Sequence, residues 1–491
     1  MFRPSTVTAW NSYNAAAILR PTSEALRTTP QQYDAIVIGS GQAGTPLSVA
    51  LAQAGMRTAL VERKHVGGTC VNEGCTPTKT MVSSGRVAYL ARRAADYGVH
   101  TGPISIDLAK VRQRKRDIVD SFRNGSQSRI EKTANLDLIF GEASFSDSNM
   151  ITVRTNDRGQ RVLSANYIFI NAGTRASRPK LDGLDSVPAL DNFSIMELDA
   201  VPEHLLVLGG GYIGLEFGQL FRRFGSRVTI VQSAGQLLTR EDPDIAEEVA
   251  KILQQDGAEI LLNAKTTRVG QADGEIRLEV QQQGKAATFA GSHLLVATGR
   301  ASNADTLNVT VAGIQVDSRG FIKVNDRLET TASGIYALGD IKGGPAVTHI
   351  SNDDFRIIRA NLLGKKSAST KDRLVPYALF IDPQLGRVGL TEAEARAQGR
   401  KIRVAKLPMT SVARALEVDE TRGFMKAIVD AESNQILGAA VLGIEGGEVM
   451  SALEIAMMGK LPYTALRDGT FAHPTLAESL NNVFMAMDSS Q

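Results

Sequence analysis

At 491 residues, 43% of them hydrophobic, the chain has the length of about three ordinary domains, and no apolar run approaches the ~18 residues that a membrane-spanning helix needs. Its 55 Lys and Arg against 52 Asp and Glu leave a net charge of +3, too small at this size to select nucleic acid or an anionic lipid surface, so small molecules are the expected partners. Two cysteines exclude a disulfide framework and point to a core-stabilised protein of a reducing, cytoplasmic compartment, where a surviving disulfide is usually catalytic.

Residues 1–32 read as a flexible tail. The first 33 residues hold one acid, Glu24, with Arg3, Arg20 and Arg27 among Ser, Thr and Ala, a composition compatible with a mitochondrial transit peptide. They lack the apolar stretch of a secretory signal.

The apolar run Asp34–Gly39 ends in Gly39-Ser-Gly41-Gln-Ala-Gly44, a helical pattern follows through Leu47, Leu51 and Ala54, and a second apolar run, Thr58–Glu62, ends on an acid. Strand, glycine turn, helix and strand form a dinucleotide site. Gly39 makes the tight turn, Gly41 lets a pyrophosphate approach the backbone, and Gly44 lets helix and strand pack closely. Glu62, 18 positions after Gly44, stands where a carboxylate accepts hydrogen bonds from an adenosine ribose.

Gly67-Gly68-Thr69-Cys70-Val71-Asn72-Glu73-Gly74-Cys75-Thr76-Pro77-Thr78-Lys79 follows at once and contains both cysteines. Such a pair is structural, metal-binding or redox-active. Structural zinc takes four ligands, and only His65 lies close enough in sequence to add to the two thiols.

Helical patterns run from Thr78 to about Tyr97 and from Leu108 to Thr133, the second with a basic cluster of Arg112, Arg114, Lys115 and Arg116 that reads as a solvated face. Strands are expected at Leu136–Gly141 and Met150–Thr155, and Tyr167–Thr174 reads as a buried strand ending in a glycine turn at Gly173. Leu205-Leu-Val-Leu-Gly209-Gly-Gly211-Tyr-Ile-Gly214 then repeats the first fingerprint, with a helix over Leu215–Phe224 and a strand over Arg227–Val231. Two fingerprints imply two cofactors, one donating electrons to the other. The second unit's strand leads into Gln232 and Ser233. Neither is the acid that binds a ribose hydroxyl, which removes one repulsion against NADPH and leaves NADPH or NADH open. Leu294–Arg300 and Ile335–Asp340 are further strands running into glycine turns, and Asp340 is either a helix N-cap or a ligand. Near the C-terminus, strands at Gly423–Val429 and Ile436–Leu442 alternate with helices at Glu448–Met458 and Leu476–Met487 around Phe471-Ala-His473-Pro-Thr-Leu-Ala-Glu478.

GGTCVNEGCTPTK, GGGYIGLEFG, ATGR, ALGD and AHPTLAE, in that order, make the chain resemble the flavin-dependent pyridine nucleotide–disulfide oxidoreductases over about residues 33–487. The resemblance implies an α/β fold with two Rossmann-like dinucleotide-binding domains, for FAD (33–175 and 291–367) and NAD(P) (176–290), and a C-terminal α+β dimerisation domain (368–491). It implies that Gly39, Gly41, Gly44, Glu62, Gly68, Thr69, Lys79, Thr174 and Asp340 contact FAD, and that Gly209, Gly211, Gly214, Gly299 and Arg300 contact the nicotinamide cofactor under a covering Tyr212. Lys79 and Glu216 would form an ion pair near the flavin, with Cys75 toward the flavin and Cys70 toward substrate. His473, held by Glu478, would be the acid–base serving the partner subunit's disulfide in a homodimer. The wording of GCTPTKTMVSSGRVAYLARR and ARALEVDETRGFMKA is similar to the mercuric-reductase-like branch, which includes copper-reducing flavoproteins. Three features depart from mercuric reductase itself: no cysteine-bearing N-terminal metal domain, no vicinal cysteine pair at the C-terminus, and His473 in place of Tyr. The expected acceptors are therefore a soft metal ion or a small disulfide, with dihydrolipoamide dehydrogenase and a redox-sensing flavoprotein as alternatives.

Overall fold

The computed structural model describes residues 29–488, so most of the expected transit peptide lies outside the described residues. The strand Gln31–Ile38, whose Ala35–Ile38 are all buried, is flanked in parallel by Thr58–Glu62 (Ile36 opposite Ala59) and Gln160–Ile170 (Ile36 opposite Ile168). Leu136–Asp147 extends this sheet beyond Thr58–Glu62, and Ile335–Ala337 beyond Gln160–Ile170. Parallel strands covered on both faces read as unbroken apolar runs, which is why these were legible. The far halves of Leu136–Asp147 and Gln160–Ile170 continue as an antiparallel meander with Met150–Thr155, so both strands outrun the expected apolar stretches.

The second unit repeats the design with parallel strands in the order Glu259–Leu261, Arg227–Val231, His204–Leu208, His293–Val296 and Ala189–Leu190. His293–Val296 pairs with His204–Leu208, so this unit runs past its expected end at residue 290. The strands Ala264–Ala272, Glu275–Gln282 and Lys285–Gly291 form an antiparallel sheet that is not among the expected elements. Their two-residue turns, Asp273-Gly274 and Gln283-Gly284, have positive φ at both positions, a conformation matching the twist of a hairpin. In the C-terminal unit five antiparallel strands run in the order Tyr377–Leu379, Gln384–Gly389, Ile436–Gly443, Phe424–Asp430, Ile402–Pro408, and the helix Gly446–Met458 packs on the sheet at Gly386.

The three units meet around the helix Cys75–Arg92. Met81 on this helix, Leu220 on the helix Tyr212–Phe224, and Leu385 in the C-terminal sheet belong to one buried cluster. Gly85 permits the close crossing, because a Cβ there would lie 2.8 Å from Leu220 Cδ1. Beside it Asp382 accepts from Arg86 Nη1 at 3.0 Å and from Arg223, whose guanidinium lies 4.0 Å from the Tyr89 ring centroid. The basic cluster on the helix Leu108–Glu131 is a solvated face only in part: Arg114 and Arg116 are exposed, Lys115 is not. Lys115 is buried on Glu197 and Arg116 binds the same carboxylate, while Arg112 donates to the Glu197 carbonyl at 2.9 Å and Arg114 to the Thr80 carbonyl at 2.8 Å. Glu197, more than 80 residues away, makes the Lys115 charge structural.

Asp382→Asn keeps the shape but removes the charge that Arg86 and Arg223 address. It should cost about 2 kcal/mol, the scale of a hydrogen bond to a charged group, and lower the urea midpoint at which the helix Cys75–Arg92 loses its protection from hydrogen exchange.

Candidate active site

The two glycine turns are built alike. In the first, Gly39 has φ +98° and a Cβ on it would strike the Asn171 carbonyl oxygen at 2.4 Å, while a Cβ on Gly44 would strike the Gly39 oxygen at 2.0 Å. In the second, Gly209 has φ +114° and its Cβ would strike the Ala297 oxygen at 2.5 Å, with Gly214 against the Gly209 oxygen at 2.1 Å. Turn and helix are therefore closed around glycine in both, as close packing of helix on strand demands. At Gly211 the space for a Cβ is open, so no protein atom there excludes a side chain. Each turn leads into a helix N-terminus, whose dipole suits a pyrophosphate, and the residues present fit one dinucleotide apiece.

Around the first turn, Glu62 accepts from the Ser40 N–H at 3.0 Å and the Ser40 hydroxyl at 2.6 Å, at the strand end where the spacing placed it. Thr174 donates to Asp340 at 3.3 Å, and burial pushes the Asp340 carboxyl up. Asp340 is not an N-cap; it lies inside the short turn Gly339–Lys342, capped by Leu338. Arg300 donates from Nε to the Thr174 hydroxyl (2.7 Å) and from Nη2 to its carbonyl (2.8 Å), so its guanidinium is held on the flavin-unit side, not at the second glycine turn. Gln232 is engaged within its own loop, accepting from Gly210 N–H at 3.2 Å and donating to the Gln236 carbonyl at 3.1 Å.

Gly67 and Gly68, with φ of +105° and +63°, turn the chain into the one-turn helix Gly68–Asn72 that carries Cys70 and, through Thr69, leads the chain across the first glycine turn. A Cβ on Gly68 would lie 2.7 Å from Gly41 Cα, which sets the cysteine segment against that turn. Cys75 is the first residue of the helix Cys75–Arg92, and Lys79 follows one turn later on the same face. Lys79 donates to both oxygens of buried Glu216 at 2.8 and 2.9 Å, and Glu216 also accepts from the Phe380 N–H at 2.9 Å. The Lys79 ammonium lies 4.9 Å from the Phe380 ring centroid.

The thiols are free and unequal, Cys75 opening on the cleft and Cys70 half-buried. The hydrogen bond donated by Cys70, with further help from the Thr348 hydroxyl at 3.4 Å and the Lys79 charge, lowers Cys75 to about 6. That same bond, with burial, raises Cys70. One proton is thus retained at Cys70, and Cys75 is the thiolate. Among the described residues no cluster of three or more His, Cys, Asp and Glu side chains gathers as a metal site, so the pair lacks the further ligands that structural zinc takes.

Both turns, both cysteines, Glu216 and Tyr212 line one cleft of 2970 Å³. Tyr212 is 39% exposed, its ring centroid 5.6 Å from that of Tyr377. His473 is hydrogen-bonded through Nδ1 to Glu478 at 2.9 and 3.1 Å, but its side chain is 69% exposed and it does not line the cleft of its own chain. Two contributors escaped the sequence reading. Asn171 accepts from the Gly44 N–H and donates to the Leu338 carbonyl, both at 2.9 Å, joining the first turn to the strand before Asp340; its place ahead of Gly173 was the available signal. Thr348, 273 residues from Cys75, gave none.

A chain with two such turns on one cleft and a dithiol between them is a two-nucleotide oxidoreductase of the dithiol class. It belongs to the pyridine nucleotide-disulphide oxidoreductase family, whose model matches residues 33–354, with the family's dimerisation domain matching 375–484. Members use FAD and NAD(P)H. The chain is 40% identical to the probable pyridine nucleotide-disulfide oxidoreductase RclA of Escherichia coli over 457 residues, 92% of this chain and 99% of that one. It is 35% identical to a Bacillus cereus mercuric reductase (93% and 72% covered) and 32% to a Haloferax volcanii dihydrolipoyl dehydrogenase (91% and 94%). A solved structure of the Cu(II) complex of the HOCl-induced flavoprotein disulfide reductase RclA from Escherichia coli superposes with a TM-score of 0.85 at 39% identity, covering 93% of this chain and 99% of that chain. No helix among the described residues is long and apolar enough to cross a membrane.

Thiolate absorbance of the reduced protein, taken as a difference against Cys75→Ser, should rise through a midpoint near pH 6, since a lowered thiol is ionised above its midpoint. In Cys70→Ala the largest lowering contribution is lost, and the midpoint should move up by at least a pH unit.

Proposed function

We propose that the protein is an FAD-dependent NAD(P)H oxidoreductase that passes electrons through Cys70 and Cys75 to a soft metal ion, copper or mercury, or to a small disulfide. The observation that carries this reading is the Cys75 thiolate beside the protonated Cys70 on the cleft between the two glycine turns. Gly39, Gly41, Gly44, Glu62, Gly68, Thr69, Thr174 and Asp340 would hold FAD, with Arg300 bracing Thr174 on that side, and Gly209, Gly211, Gly214, Tyr212 and Gly299 would hold the nicotinamide nucleotide. Bound there, FAD would supply the two-electron chemistry that links a nicotinamide nucleotide to the disulfide.

Two electrons and one proton convert the Cys70–Cys75 disulfide into a Cys70 thiol and a Cys75 thiolate. Lys79, held by Glu216, lends positive charge to that thiolate, and Thr348 adds a hydrogen bond. A thiolate pair ligates soft cations in preference to hard ones. Closing the disulfide again releases two electrons, which reduce two Cu²⁺ to Cu⁺ or one Hg²⁺ to Hg⁰. The similarity to a flavoprotein solved with Cu(II) and to mercuric reductases supports the metal branch. Dihydrolipoamide dehydrogenase is the second reading, favoured by the His473–Glu478 pair. In a homodimer formed by the C-terminal domain, His473 would serve the partner's Cys70, with Glu478 fixing the imidazole so that Nε2 faces outward to move the proton.

Steady-state oxidation of NADH and NADPH with Cu²⁺, Hg²⁺, lipoamide and oxidised glutathione tests these readings. Metal-dependent turnover is expected; strong lipoamide turnover without a metal response would replace the metal reading with the second. Cys70→Ser should keep the flavin and its reduction by NAD(P)H yet lose acceptor turnover at least a hundredfold, read by rapid-mixing absorbance. His473→Ala should slow disulfide exchange by about 10²-fold while sparing flavin reduction.

A further inference from the structure

Glu241 and Arg387 are opposite charges buried together, with Arg387 Nη2 also 3.8 Å from Asp242. Their side chains are 1% and 2% exposed, the closest approach is 3.9 Å from Arg387 Nε to Glu241 Oε2, and neither carboxylate oxygen of Glu241 nor either Nη of Arg387 has a hydrogen-bond partner. Buried polar groups are ordinarily satisfied, so an orphaned pair calls for a role. The pair sits where the second nucleotide site meets the C-terminal sheet. The loop carrying Glu241 is tied to the second glycine turn by the Leu238 N–H on the Gly210 carbonyl at 3.0 Å, and Gln236 donates to the Glu241 carbonyl at 3.1 Å. Arg387 lies opposite Tyr377 in the C-terminal sheet, and Tyr377 packs on Tyr212. The Tyr212 phenol is raised by burial and then by the nearby Glu241, and Arg240 and Arg387 act in the opposite sense.

We propose that Glu241, set against Arg387, is a positioning residue for the nicotinamide nucleotide, its charge determining through the Tyr212 pocket how tightly the second site holds the oxidised, positively charged ring. This rests on the reading of the second glycine turn as the nicotinamide site. Asp242 and Asp244 of its own segment, Glu394 of the helix Glu392–Ala397 and Arg387 of Gln384–Gly389 bear on Glu241, Arg240 is its chain neighbour, and Lys406 of Ile402–Pro408 and Lys426 of Phe424–Asp430 address Asp242 and Asp244 beside it. Lys426 takes Asp242, Asp244 and Glu392, and Asp242 also accepts the N–H groups of Glu392 and Ala393 at 3.0 and 3.1 Å. Glu241 is thereby left as the carboxylate without hydrogen bonds. Burial, with the neighbouring carboxylates, pushes it up to about 7 against the pull of Arg387. It is neutral below that pH and negative above it, and a buried negative charge attracts a cationic ring through a medium that screens poorly.

Calorimetric binding of NAD⁺ and NADP⁺ to the FAD-loaded protein at pH 6 and pH 8, beside a redox-inert tetrahydronicotinamide analogue with a neutral ring, tests this. The oxidised nucleotide should bind about fivefold more tightly at pH 8 than at pH 6 and release protons near pH 7, and the neutral analogue should show neither effect. Glu241→Gln should abolish both effects, and Arg387→Gln should move the midpoint to higher pH by removing the charge that holds Glu241 down. A pH dependence that persists in Glu241→Gln, or is shared by the neutral analogue, overturns the inference alone. Wild-type protein that binds neither nucleotide overturns the nicotinamide site and the inference together.

Discussion

A buried carboxylate with one cation is the constraint on which this molecule turns. Glu216 sits on the helix that follows the second glycine turn, and its charge is tolerable in the interior because Lys79 addresses both oxygens and the Phe380 N–H adds a third hydrogen bond. Removing one partner of such a pair leaves an uncompensated charge, a cost of several kcal/mol. Three units therefore have to agree on one geometry: the first supplies Lys79, the second Glu216, and the third Phe380. Because Lys79 lies one turn from Cys75, the same agreement fixes the thiolate in the cleft.

The asymmetry of the thiols follows from this placement. Burial disfavours both anions, and the single hydrogen bond between them decides which sulfur carries the charge. Thr348 and Lys79 favour the anion at either sulfur, so the hydrogen bond between the thiols makes the choice. A dithiol poised in this way is reactive near neutral pH without a metal or a third cysteine to activate it.

Much of the chain was legible because its chemistry is local. A strand, a glycine turn and a helix occupy consecutive residues, and Gly44 and Gly214 must be glycine for contacts made within the turn, while Gly39 and Gly209 are held to glycine by the distant carbonyls of Asn171 and Ala297. The departures share a cause in distance. Lys115 looked like part of a solvated basic face until Glu197 came to cover it, and Arg300 followed its motif in sequence while its guanidinium went to Thr174. Asp340 resembled an N-cap, yet Thr174 and a short turn gave it other neighbours. The hairpins over 264–291 did leave a signal, Asp273-Gly274, in a stretch whose alternation is weaker than the parallel strands.

By itself the sequence determined the two glycine turns, the order of the units and the placing of both cysteines just after the first turn, since each is written in neighbouring residues with fixed spacing. Only the tertiary structure decided which distant acid Lys115 meets and that the Arg300 guanidinium turns to Thr174. Those outcomes depend on burial and on partners brought together from more than 80 residues apart, and no spacing along one segment encodes them.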